Sequence, residues 1–178
     1  SYYCSDFKFK KGLVSEKESS VYNLHVADKM WLNKSFKNTI LQKIARCEMD
    51  SKRYVYSDLG FILLQQVVES IVKLPMDLYL AKEFYAPMGL QRTMYLPLQK
   101  YSKEEIMPTA ANDFLRRQDL CGYGHDEAAA CMGGISGNAG LFSTASEVAK
   151  IYQMILNGGK WNGKRYLSEA TCRLFTTE

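Results

Sequence analysis

The stretch Tyr54-Val55-Tyr56-Ser57-Asp58-Leu59-Gly60-Phe61-Ile62-Leu63-Leu64 stands at the mouth of the most apolar run in the chain. Ser57 or Asp58 can cap a helix here, by accepting a hydrogen bond from an N–H that the first turn leaves without an intrahelical partner. The run from Leu59 to Val72 is long enough for about four turns of helix. Its polar positions Gln66, Glu69, Ser70 and Lys73 follow one another at i, i+3, i+4 and i+7, a single narrow stripe. Apart from Gln65 the rest is apolar, so the pattern predicts a central, largely buried helix with Ser70 turned to solvent. Tyr56 would be held at its N-terminus, where free N–H groups and the helix dipole favour negative charge. A phenol with a pKa near ~10 needs such help before it acts as a base. On local features alone the plainer reading is a core tyrosine before an ordinary N-cap.

Composition sets the bounds. A chain of 178 residues, 47% hydrophobic and 24% charged, is one soluble globular domain or a large piece of one. The net charge of +4 is modest, and Lys8-Phe9-Lys10-Lys11 is too short a basic run for a nucleic-acid footprint. The five cysteines, Cys4, Cys47, Cys121, Cys131 and Cys172, form no Cys-x-x-Cys pair, and only two histidines accompany them. That argues against structural zinc, and no cofactor motif is present. The odd count argues against a complete disulfide framework while leaving a single bridge, and the redox compartment, open. No signal peptide or membrane span is visible. The sequence starts without Met and stops at Thr176-Thr177-Glu178 just after an apparent helix, which reads as a piece of something larger.

Outward from the central run, residues 1–33 show little periodicity, and Val21 to Trp31 fits a strand or an irregular segment. A helix is expected from Asn33 or Ser35, with Phe36, Ile40, Leu41, Ile44 and Ala45 on one face, ending before Asp50-Ser51. Pro75 suits the first turn of a helix over Met76 to Tyr85, ended by Pro87 and Gly89. Thr93 to Pro97 reads as extended, and 98–124 as a long loop with short helical turns. The glycine-dense stretch Gly133-Gly134-Ile135-Ser136-Gly137-Asn138-Ala139-Gly140 lacks both the Gly-Lys-[Ser/Thr] of a phosphate loop and the spacing of a dinucleotide site. Thr144 and Glu147 have the spacing of a capping box, opening a helix expected to bury Val148, Ile151, Tyr152 and Ile155 and to stop at Gly158-Gly159. Asn162-Gly163 signals a hairpin turn, and Ser168 a cap for a last helix to about Phe175.

Besides Tyr56-Ser57-Asp58, three constellations carry possible chemistry. His125-Asp126 can supply a metal ligand with a helper, or a base with an orienter. The plain alternative is an N-cap by Asp126 with His125 in the loop. The glycine stretch either lines a site or merely packs tightly. Asp113 and Arg116, at i and i+3, read as an exposed ion pair of about 0.3–0.5 kcal/mol with no functional meaning.

In order along the chain, these pieces resemble a known family. Tyr56-Ser57-Asp58-Leu59-Gly60-Phe61 opening a helix looks like the second motif of the serine β-lactamase and penicillin-binding-protein superfamily, in particular its class C-related hydrolases. Pro87-Met88-Gly89-Leu90-Gln91-Arg92-Thr93 is similar to its "PLGM-x-x-T" segment. Pro108-Thr109 through Asp113 and Arg116 to Gly122-Tyr123-Gly124-His125-Asp126 is similar to "PT-x-x-D…R…G-x-VHD". Gly133 to Ala145 is similar to "GGVAGHAGLFSTA". The matches cover roughly residues 54–178, while residues 1–50 carry no matching motif. The resemblance implies acyl transfer through a Ser-x-x-Lys, the tyrosine motif and a Lys-Thr-Gly or His-x-Gly strand. Only the second of these is matched in full. Ser70-Ile71-Val72-Lys73 follows the tyrosine motif, Ser5-Asp6-Phe7-Lys8 lacks the apolar helix that should follow it, and no third motif occurs after Thr144. Two departures from the pattern are Asp58, where an amide is usual, and Asn138, where many relatives have His. An ionised carboxylate accepts hydrogen bonds but donates none, which speaks against penicillin-type substrates.

The resulting expectation is a mainly α fold, with one small hairpin near the C-terminus. It is the helical middle of a single β-lactamase-like domain over 1–178, motif-bearing from 51. By resemblance Tyr56 is the base partner, Asp58 contacts substrate or lysine, and His125 and Asn138 line the cleft. The substrate is an ester, amide or peptide, with no metal or cofactor. The resemblance also implies a bacterial, exported parent protein, with the closest branch often fused behind a family 3 glycoside hydrolase. Alone, the chain is expected to be inactive and to self-associate through the face that meets its missing α/β half. The alternative is a non-catalytic helical module binding peptide, glycan or a protein partner.

Overall fold

A computed structural model describes residues 12–48 and 55–177. Tyr54, Asp50-Ser51 and the Ser5–Lys8 string lie outside them. The chain forms two compact units. One takes the residues up to Lys73 together with Tyr95–Leu141, and the other takes Leu74–Met94 and the residues from Phe142 onward.

The first unit opens with a three-stranded antiparallel sheet, order β1-β3-β2, built from β1 (Val14–Ser15), β2 (Tyr22–Ala27) and β3 (Met30–Asn33). Its signal in the sequence is faint because β2 alternates only as far as His25. Val26 and Ala27 are then both buried, and the register shifts beside them. Helix α1 (Phe36–Ala45) buries Phe36, Ile40 and Ile44, one face at i, i+4 and i+8, as the pattern requires. These residues pack with Val26, Leu32, Ile62, Ala130, Cys131 and Met132 as one core.

Helix α2 (Asp58–Val72) is capped by Ser57, whose hydroxyl accepts a bond from the N–H of Leu59 at 3.3 Å. The expectation of a largely buried helix is not met. Only Ile62 and Gln65 are buried, whereas Phe61, Leu63, Leu64, Val67 and Ile71 are exposed. The inward side carries Leu59, Ile62, Gln65, Gln66 and Glu69, at i, i+3, i+6, i+7 and i+10, with Leu59 and Ile62 in the core and Gln65 on the glycine-rich loop. Part of the polar stripe therefore faces inward and much of the apolar surface faces out. Ser70 is exposed as expected, its hydroxyl donating to the Val67 carbonyl at 2.7 Å.

Between Tyr95 and Leu141 the long loop resolves into two 3-10 turns (Pro97–Gln99 and Lys103–Glu105), a short antiparallel pair β4 (Pro108–Ala110) and β5 (Leu120–Cys121), and helix α4 (Glu127–Cys131).

In the second unit α3 (Met76–Leu80) continues as a π-helical turn over Ala81–Tyr85. Pro75 is its N-cap rather than a residue of its first turn. Helix α5 (Ala145–Leu156) places Met154 in a core with Tyr85, Met88 and Leu90. Val148 and Tyr152, expected to be buried, are exposed, and the face turned inward carries Glu147, Ile151, Met154 and Ile155 instead. The Thr144–Glu147 box is only half formed. Thr144 accepts from the Glu147 N–H at 3.4 Å, but the Glu147 carboxylate reaches away, accepting from the N–H groups of Gln91 and Arg92 and from the Thr93 hydroxyl at 2.7–3.1 Å. Burial would raise its pKa, yet these donors hold it below the usual carboxylate range. The hairpin β6 (Lys160–Trp161) and β7 (Lys164–Arg165) turns at Asn162-Gly163, both at positive φ, as its sequence signal requires. Helix α6 (Glu169–Thr176) follows, capped by Ser168.

Among the described residues no single helix is long and apolar enough to cross a membrane.

Candidate active site

All four constellations lie in the first unit. Tyr56 precedes the Ser57 cap in extended chain and is 72% exposed, its ring tilted against Phe61 at a centroid distance of 6.3 Å. It is not a core tyrosine. Asp58 occupies the first turn of α2, half-buried, where the helix dipole favours its negative charge.

The glycine-rich loop is fastened to α2 by Gln65. The Gln65 carboxamide accepts from the Gly137 N–H at 3.1 Å and donates to the Ile135 carbonyl at 3.3 Å. A Cβ on Gly137 would lie 2.1 Å from the Phe61 carbonyl oxygen, so only glycine lets the loop lie on the backbone of α2 one turn below Tyr56. Asn138 is bound on both sides of its amide. Its oxygen accepts from the Ser136 hydroxyl at 2.6 Å, and its nitrogen donates to Asp126 at 3.0 Å. The second N–H of that amide is not used in these two bonds.

Asp126 caps α4, accepting from the Ala129 N–H at 2.6 Å. The plain reading of His125-Asp126 is thus the observed one at Asp126, and His125 is an exposed loop residue. Asp113 and Arg116 depart furthest from expectation, because both are buried, Arg116 to 2% exposure. The guanidinium binds Asp113 with Nε and Nη2 at 2.9 and 2.7 Å. It also donates to the carbonyls of Gly124 and His125 at 2.9 and 2.6 Å. Burial would raise the Asp113 pKa, but the bonds from Arg116 outweigh it and hold the carboxyl below its usual range. Spacing alone gave no hint of this burial, since i, i+3 pairs are ordinarily solvated. Gln65 was missed for a related reason: it lies inside the apolar run beside Gln66 and carries no motif of its own.

The arrangement is a polar scaffold that holds an exposed phenol and a half-buried carboxylate at a helix N-terminus, with a glycine-lined backbone beside the same helix. It can position groups for acyl transfer, but among the described residues it supplies no Ser-x-x-Lys ahead of Tyr56. Among the described residues no three His, Cys, Asp or Glu side chains are grouped as metal ligands.

Helix, loop and motif order together define a member of the serine β-lactamase and penicillin-binding-protein superfamily. The chain belongs to the beta-lactamase family, whose model matches residues 18–178 and so takes in most of the motif-poor N-terminal part. A putative D-alanyl-D-alanine carboxypeptidase of Escherichia coli (strain K12) is 34% identical over 156 residues, covering 79% of this chain and 36% of that protein. A protein of the same description from Salmonella agona (strain SL483) is 32% identical over 169 residues, covering 86% and 39%. The chain thus spans under two-fifths of the length of these relatives. Among solved structures, the octameric penicillin-binding protein homologue from Pyrococcus abyssi aligns with a TM-score of 0.56 at 17% identity, covering 80% of this chain and 30% of that one. The D-amino acid amidase from Ochrobactrum anthropi SV3, complexed with L-phenylalanine, aligns at 0.53 and 15% identity, covering 91% and 45%. Both are likenesses of fold.

Proposed function

We propose that this chain is the helical portion of a serine hydrolase that cleaves an ester, amide or peptide through an acyl-serine intermediate. The names of the relatives, carboxypeptidase and amidase, point to an amide or peptide bond. Tyr56 takes the serine proton during attack and returns it to the leaving group. Asp58 contacts substrate or the motif lysine, while His125 and Asn138 line the cleft. The carrying observation is the Gln65–Gly137 bond, which brings the glycine-rich loop onto the helix that Tyr56 opens. With no Ser-x-x-Lys that both precedes Tyr56 and opens an apolar helix, and no third motif, the chain is inactive by itself.

The test uses a full-length protein containing this chain. A fluorophosphonate should label it covalently, and Tyr56→Phe should reduce turnover by about 10²-fold or more, the range for loss of a general base. This chain alone should remain unlabelled. Stoichiometric labelling of it at Ser5 or Ser70, or a full-length sequence with no Ser-x-x-Lys opening an apolar helix ahead of Tyr56, would sink the proposal.

The outward apolar surface of α2 supports a second part of the reading, that the remaining half of the domain covers it. In the isolated chain a second copy takes that place. Sedimentation should therefore show concentration-dependent association. A strict monomer at high concentration would count against it.

A further inference from the structure

A cavity of about 420 Å³ opens in the second unit and shares no residue with the groups assigned to acyl transfer. That size falls within the range of small-molecule pockets. Helix α6 lines it with Glu169, Cys172 and Arg173, neighbours on one face at i, i+3 and i+4. The end of α5 adds Ile155, and the hairpin adds Lys160 from β6 and Arg165 from β7.

The charges of this lining do not cancel. Lys160 and Arg165 stand directly opposite in the antiparallel register, so both side chains leave the same face of the hairpin. Like charges so placed repel. Among the described residues no carboxylate forms an ion pair with either of them. Glu169, the acid of the lining, is taken by Arg173 at 2.5 Å. Two positive charges are left over on one side of the cavity. The Arg165 guanidinium is also held in place. Its Nη1 donates to the Gly158 and Leu167 carbonyls at 2.8 and 2.9 Å, which leaves Nε–H and the Nη2 protons to spare among the described residues. A guanidinium edge with parallel N–H groups grips two oxygens of a carboxylate or phosphate.

We propose that this cavity binds a small, doubly charged oxyanion that carries an apolar portion, a phosphomonoester being the simplest of that class. Arg165 takes two of the oxygens with its fixed edge. Lys160 supplies the second charge from the opposite strand, as a point charge on a flexible stem. A monoanion would leave one of the two cations unmatched. A phosphomonoester carries close to two charges above a second pKa near ~6. The cavity is larger than an oxyanion alone requires, and Ile155 and Cys172 face the space beyond it. The bound anion also offsets the repulsion across the hairpin, so the ligand stabilises the fold that holds it.

Phenyl phosphate is the probe, titrated into the chain at about pH 7.5, where it is a dianion, and followed by amide chemical shifts. It should bind one to one, with shifts at 155–160 and 165–176 and none at 56–61 or 133–140. Inorganic phosphate lacks the ring and benzoate lacks the second charge, so each should bind more weakly by about fivefold or more. Arg165→Gln should weaken phenyl phosphate by about tenfold or more, through loss of the charged fork. Lys160 makes no hydrogen bond or ion pair among the described residues, so its replacement leaves the fold in place. Lys160→Gln should weaken binding by about fivefold, the upper range for an exposed ion pair. Lys164→Gln removes the same charge from the other face of the hairpin, where the ammonium lies over the Tyr166 ring, and should leave the affinity unchanged. Equal losses in Lys160→Gln and Lys164→Gln overturn the proposal. So does benzoate or inorganic phosphate binding as tightly as phenyl phosphate, and so do shifts confined to 56–61 and 133–140.

Discussion

The side-chain oxygen of Gln65 and the backbone N–H of Gly137 are hydrogen-bonded at 3.1 Å across 72 positions of sequence, and this bond seats the glycine-rich loop on α2. Gly137→Ala should cost about 3 kcal/mol or more, since the methyl group must push the loop off the Phe61 carbonyl. Gln65→Leu should cost about 1–3 kcal/mol, from the Gly137 N–H and Ile135 carbonyl it strands. Urea midpoints at unchanged slope would show both.

Arg116→Ala should be the most damaging change in the first unit, at about 3–5 kcal/mol, because it leaves a buried carboxylate uncompensated. Arg116→Lys should recover only a minor part, since an ammonium cannot fork to Asp113 and two carbonyls together. Asp113 has a depressed folded-state pKa, so its contribution is complete above about 4 and is lost as pH falls through the lower folded value. Acid unfolding should therefore be less steep in Arg116→Ala, as measured by circular dichroism at stepped pH.

Glu147→Ala should cost about 1–3 kcal/mol by stranding the Gln91 and Arg92 N–H groups and the Thr93 hydroxyl. Thr144→Ala removes only a cap and should cost about 1 kcal/mol. Calorimetry on the two variants separates the strut from the cap.

Gln66 offers a change in the opposite sense. Its Nε2 is buried with no hydrogen-bond partner among the described residues. Gln66→Met should stabilise the chain by about 1 kcal/mol, visible as a raised urea midpoint.

Tyr56→Phe should leave stability within about 0.5 kcal/mol of the parent, because the ring is exposed and its hydroxyl supports no element of the fold. A larger loss in the melting curve would mean that Tyr56 is structural.

Caps, turns and helix positions were legible in the sequence because each rests on a local rule. Ser57, Thr144 and Ser168 cap as their side chains dictate, and Asn162-Gly163 turns as its backbone freedom requires. The direction in which α2 and α5 face was not legible. An amphipathic pattern says which stripe is apolar, not which stripe packs, and in α2 a polar loop takes the face with Gln65. For the proposed site, Tyr56, Asp58, His125 and Asn138 were expected from ordered motifs. Their supports Gln65 and Arg116 were not, since burial of a polar side chain is decided by residues distant in sequence. The short strands β1, β4 and β5 are held by pairing rather than by any pattern of their own.

Met94 and Phe142 exchange both backbone bonds at 2.9 Å, which sets the last residue before 95–141 beside the first residue after it. The chain thus leaves the second unit and returns to it through one doorway. Residues 95–141 are an excursion that begins and ends at one antiparallel bridge. A two- or three-residue splice from Met94 to Phe142 spans the gap of a paired antiparallel couple, about 5.5 Å. The second unit can therefore be produced as one continuous, shorter chain, with its Glu147 strut and Met154 core intact.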